Sequence, residues 1–284
     1  MLLLRRAALA CTLGFCLYRS ATAGELSTKP IRITQGGTAE KPALFDGNGM
    51  VIDLGIDVTN HSWRKEGDIW TSTTAIAGPK PIQPGMHTAL FLDEVPITLA
   101  KKLPPGKMLH DHLRPGQCTA DDAGLISFRW PKDKMPDAAR IIIPPKGNVS
   151  CVTIACSHVV VKNITATHAA NDGFNIHGGF VGIRLENIRA LSNCDEGISA
   201  HDDVQMDVDG AEIAWNGSSV GGVADVDRSI TTYKNCQVHD NVGAAFKFFG
   251  KSHSVSDTVI YNQAVDFTLG KETKFRQERI ERRK

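Results

Sequence analysis

The chain has 284 residues, 42% of them hydrophobic and 22% charged, with a formal net charge of +1. That length supports a sizeable core. The near-neutral balance gives no electrostatic footing for nucleic acid or an anionic membrane surface.

In chain order, residues 1–23 have the layout of an export signal. Arg5 and Arg6 precede an apolar stretch, Ala7 to Tyr18, that is too short to span a bilayer, and Ala21, Thr22 and Ala23 form a small-residue cleavage pattern. The mature chain is expected to start near Gly24, in the periplasm or outside the cell, without membrane attachment. Loss of Arg5, Arg6 and Arg19 would leave a formal charge of about −2. The five cysteines beyond Gly24 are odd in number and lack CxxC spacing, so they read as buried free thiols.

Residues 24–56 contain ALFDGNGMVIDLG, a strand, a Gly-Asn-Gly corner and a second strand, read as one opening coil of a solenoid. Residues 57–147 break any period. Strand-like pieces such as TALFLDEVPI and GLISFRW lie among prolines there, and predict a β-rich insertion that walls one end of a groove. Residues 148–270 repeat. FNIHG at Phe174, ISAHD at Ile198, ADVDR at Ala224, FKFFG at Phe246 and FTLG at Phe267 follow one another at about 23 residues, and asparagines recur at Asn171, Asn193, Asn216, Asn241 and Asn262. A period near 23 with short strands and tight corners predicts an all-β fold, a right-handed parallel β-helix. Residues 271–284, KETKFRQERIERRK, look too charged to form another coil and are expected to cap the open end or remain a solvated tail.

Strand alternation assigns the faces. Phe174 and Ile176, Ile198 and Ala200, Ala224 and Val226, Phe246 and Phe248, and Phe267 and Leu269 point inward. Asn175, Ser199, Asp225, Lys247 and Thr268 form one outward row, and His177, His201, Asp227 and Phe249 the next. The register that keeps Asp225 outside is preferred because burying an aspartate is costly.

The repeats resemble the pectin-lyase-like superfamily of β-helices. NDGFNIHG, Asn171 to Gly178, is similar to the DG-x-N-x-H-G element of the β-helical α-1,3-galactosidases, with Asn171 where that family carries the first of two acids. NCDEGISAHDD, Asn193 to Asp203, resembles the acidic corners of polygalacturonases, although the GHG and RIK tripeptides and the pectate-lyase signature are missing. The resemblance implies carbohydrate recognition as a class.

Asp172 and Glu196 each precede a strand-opening glycine, 24 residues apart, and should stack on adjacent coils about 5 Å apart. That spacing suits the nucleophile and acid/base of a retaining glycosidase; acids in turns also serve as plain backbone acceptors. His177 and His201, with Asn175 and Asp202, are candidates for substrate contact. Lys247, beside Asp225, is a candidate base for a lyase, in which Asp195, Glu196, Asp202, Asp203, Asp225 and Asp227 would hold calcium. The first reading is an exported glycoside hydrolase acting on a polysaccharide or oligosaccharide, with no metal or other cofactor. The alternatives are a calcium-assisted polysaccharide lyase and a non-catalytic glycan-binding β-helix.

Overall fold

The computed structural model describes residues 24–76, 88–100, 108–121, 123–131 and 139–283; the expected export signal lies outside them. No helix among the described residues is long and apolar enough to cross a membrane.

Residues on both sides of the insertion wind into a parallel β-helix of seven coils. Each coil gives one short strand to a seven-stranded sheet: Ile31–Ile33, Val152–Ile154, Phe174–Ile176, Ile198–Ala200, Gly221–Asp225, Ala244–Phe248 and Phe267–Leu269. Long strands such as Val159–Thr167, Ile183–Leu191 and Ser252–Tyr261 build the second sheet. Pairing is in register, so Phe174, Ile198, Val223 and Phe246 form one continuous interior stack. All four are fully buried, and each stabilises the coil by about 1.5–3 kcal/mol through lost apolar contact with water. Phe267 is only half-buried and Leu269 is exposed, because the last short strand has no neighbour beyond it.

Two asparagine series explain the corners. Asn163, Asn187 and Asn235 bend the long strands with φ near +50°, a region asparagine tolerates. Their exposed amides link coil to coil, as in Asn187 Nδ2 to Asn163 Oδ1 at 2.7 Å. Inside the solenoid, Asn193, Asn216 and Asn241 form a second ladder. Asn216 Oδ1 accepts from the backbone N–H and Nδ2 of Asn193, and Asn241 Oδ1 does the same for Asn216. Asn171 and Asn262 fall outside this ladder, whose positions on those coils are held by Ala169 and Gln263. Ala169 N donates to Asn193 Oδ1, and Gln263 Nε2 to the Asn241 carbonyl.

Three expectations are corrected. Val223, not Ala224, pairs with Ile198, so Asp225 points inward between Ala200 and Phe248, and Val226 takes the outward place assigned to Asp227. The aspartate is accommodated because Thr231 and Tyr233, on the next strand of the same coil, donate to it at 2.6 and 2.9 Å. Second, Lys274–Arg283 is a full strand paired residue by residue with Ser252–Tyr261. Phe275 and Ile280 pack on the core, while charged neighbours face outward and pair, as Arg279 does with Asp257 and Arg282 with Asp266. Third, the insertion is an eight-stranded, mostly antiparallel sheet with its own core around Leu90, Phe128 and Trp130. None of its described residues lines the groove; it backs a corner of the solenoid instead. The five cysteines beyond Gly24 are buried thiols outside any disulfide, as expected.

Candidate functional site

The outward face of the short-strand sheet and the corners leading into it enclose a groove of about 520 Å³. Asp172, Asn175, His177, Glu196, His201 and Lys247 all line it, as the repeat alignment anticipates. Asp225 does not, because it lies inside the solenoid. Asp202 sits exposed beyond the rim, where its carboxylate approaches His177 Nδ1 at 3.9 Å.

The corners place the acids. Each coil leaves its long strand through a residue with positive φ, such as His168 or Ser192, and reaches the next short strand a few residues later. Asp172 and Glu196 occupy equivalent points of two successive corners. The glycines that follow them are required: a Cβ on Gly173 would meet the Gly197 carbonyl at 2.7 Å, and one on Gly197 would meet Asn216 Nδ2 at 2.8 Å.

Asp172 is held by a dense set of donors. Ser199 Oγ at 2.7 Å, Asn175 Nδ2 at 2.5 Å and Asn171 Nδ2 at 3.0 Å all reach its Oδ2, and the Glu196 N–H reaches Oδ1 at 3.3 Å. Glu196 Oε1 accepts from Ser218 Oγ at 2.8 Å. The two acids are both buried and also bond each other through their side chains. Burial raises the pKa of both. Repulsion from Asp195 adds to this at Asp172, and repulsion from Asp172 and then Asp195 adds to it at Glu196. The bond between them raises Glu196 and lowers Asp172, so Glu196 keeps the proton and Asp172, with four other donors aimed at it, takes the ionised role.

The separation expected for a retaining pair is therefore not found between Asp172 and Glu196, which touch. Asp195, half-exposed at the groove wall, supplies the third carboxyl, and one oxygen from each of the three acids lies within 4.8 Å of the others. Such a trio offers the oxygen donors that a divalent cation takes. The larger calcium cluster expected from sequence is dispersed: Asp203 is paired with Arg228 at 2.5 Å, Asp227 lies at the rim beside His201, and Asp225 is internal.

His177 and His201 stack face to face with ring centroids 3.9 Å apart. Burial, then the neighbouring His177, lowers the pKa of His201, so neutral imidazole faces the groove near pH 7. Lys247 Nζ lies 4.9 Å from the ring centre of Phe249, which is exposed. Sequence reasoning missed Arg32 and Ser218 as parts of the site. Arg32 is reached only through the pairing of Ile31–Ile33 with Val152–Ile154 across the whole insertion, and Ser218 lies on a corner without a matching acid.

No protein-family model and no curated protein sequence matches this chain. Among solved structures, the complex of XylC with xylose superposes with a TM-score of 0.50 at 10% identity, over 90% of this chain and 56% of that one. A glycoside hydrolase superposes with a TM-score of 0.31 at 9% identity, over 91% of this chain and 88% of that one. The first likeness agrees with the β-helix fold, and this chain spans little more than half of that structure's length.

Proposed function

We propose that this is an exported carbohydrate-active β-helix protein that hydrolyses a glycosidic bond in the groove. The observation that carries the reading is a buried carboxyl, Glu196, bonded to a second buried carboxyl, Asp172, with a third, half-exposed one, Asp195, alongside. Glycoside hydrolysis needs an acid that still holds its proton near neutral pH and a carboxylate that does not. Glu196 is the acid. It protonates the glycosidic oxygen as the bond to the anomeric carbon breaks, while Asp195 attacks that carbon. Water then displaces Asp195 and gives one proton back to Glu196. Asp195 and Glu196 have oxygens within 4.8 Å of each other, which fits retention of configuration better than inversion, which needs roughly 6.5–9.5 Å. Asp172 acts as positioning residue for the proton on Glu196, and His177 and His201 present a flat polar face to the sugar. The complex of XylC with xylose, which superposes on this chain, supports the substrate class.

The test is incubation with a panel of neutral and acidic glycans. New reducing ends without unsaturated sugar are expected, and Glu196→Gln and Asp195→Asn should each lower turnover on the order of a thousandfold with little change in melting temperature. Ultraviolet-absorbing unsaturated ends, abolished by chelator, would instead assign Lys247 as the base of a calcium-assisted lyase. Binding without either product would leave a glycan-binding protein.

A further inference from the structure

One residue per coil forms the outward row of the short-strand sheet, and register makes it Arg32, Thr153, Asn175, Ser199, Ala224, Lys247 and Thr268. Cations stand on its first and sixth coils. Five strand spacings, about 24 Å, separate the two, and both line the groove. Many other arginines are already engaged by carboxylates, as Arg189 is by Glu212 and Arg228 by Asp203. Among the described residues, Arg32 and Lys247 have no such partner. The acids Asp172, Asp195 and Glu196 lie midway, on the third and fourth coils.

This charge order, plus–minus–plus along one groove, selects its occupant. One strand spacing is close to the length of one sugar in an extended chain, so about five or six sugars span the two cations. A neutral glycan would leave both cations unanswered. A polymer charged at each residue would set an anion against the central acids, where repulsion in a partly dry site is costly.

We infer that the groove takes an acidic glycan in which anionic groups, carboxylate or sulfate, are separated by uncharged residues. The anions fall at Arg32 and Lys247, and an uncharged ring lies over the acids. This rests on the groove being a glycan site. Phe249, exposed beside Lys247, offers a ring face for the sugar that carries the anion.

Binding is measured with the Glu196→Gln full chain, in chelator, by calorimetry. The probes are a neutral glycan, the same backbone with sparse uronate groups, its sulfated counterpart and a homopolymer of uronic acid, each from disaccharide to octasaccharide. Sparse acidic chains, carboxylated or sulfated, should bind most tightly, with a step in affinity once the chain spans both cations and a loss of affinity in high salt. Arg32→Met and Lys247→Met should each weaken long acidic chains about tenfold, the worth of one charge-assisted hydrogen bond, and leave neutral chains unaffected. Equal affinity for neutral and sparse acidic chains, or tightest binding of the homopolymer, would overturn the inference and leave the glycan groove standing. If no probe binds, both fall.

Discussion

Asp225 shows how a single residue can invert a face assignment. Its cost of burial is real, but Thr231 and Tyr233 supply hydroxyl donors to Oδ2, while Oδ1 has no partner. Burial pushes its pKa up to about 7. The raised value means that the native state holds a proton the unfolded chain has already released. Stability from this group is therefore complete below about pH 4 and is lost as pH rises toward 7, by on the order of 4 kcal/mol. His253, 2.7 Å from Thr231, acts oppositely: burial lowers its pKa to about 4, so its contribution is present above about pH 6.5 and is lost as pH falls toward 4. The two slopes offset each other in the native protein. Asp225→Asn should remove one of them, so its melting temperature relative to wild type should climb steadily from pH 4 to 7. A difference independent of pH would mean that Asp225 is ionised throughout. Nothing within its own strand announces this role, because both donors come from residues six and eight positions on, which only the coil brings beneath it.

At the scale of the element, the repeat was legible because each coil repeats its own solution to the same corner. The recurring asparagines mark it, yet their roles differ. Asn187 lies outside on a strand bend. Asn216 is fully buried and satisfies the backbone N–H and the amide of Asn193, while its own Nδ2 donates to the Ala190 carbonyl. Asn216→Ala should cost about 3 kcal/mol or more, since each lost bond leaves a buried polar group unpaired. Asn187→Ala should cost under about 1 kcal/mol. Urea unfolding of the two variants measures the contrast, and equal losses would refute the distinction. The charged final segment was misread for a related reason. KFRQERIERR needs only Phe275 and Ile280 to face the core; Arg279 and Arg282 answer acids on the preceding coil and Arg276 and Arg283 pair within the strand, giving the charged edge that resists further pairing.

For the molecule as a whole, the local period exposed the solenoid but not the insertion's place against it, because antiparallel pairing over long separations leaves no period in sequence. The insertion docks where it matters to the site. Phe91 and Ile142 bury Cys194, the residue before Asp195, and Ser192 Oγ donates to the Glu94 carbonyl at 2.7 Å and its carboxylate at 2.9 Å. The insertion thus braces from behind the corner that carries Asp195 and Glu196. Gly217, one coil on, is the tightest point of that seam: a Cβ there would lie 2.1 Å from Thr88 Oγ1 and 2.5 Å from Thr88 Cβ. Thr88 is on a strand and buried, so it cannot swing away. Gly217→Ala should therefore force the sheet off the corner and cost about 1–3 kcal/mol, the usual range for overpacking. If the brace holds the acids, turnover per folded molecule should fall as well, although neither residue lines the groove. Thr88→Gly in the same chain removes the colliding atoms and should recover most of both losses. Stability restored without turnover would show that the insertion supports the fold but not the corner that carries Asp195 and Glu196; no loss on Gly217→Ala would show that the two units do not meet there.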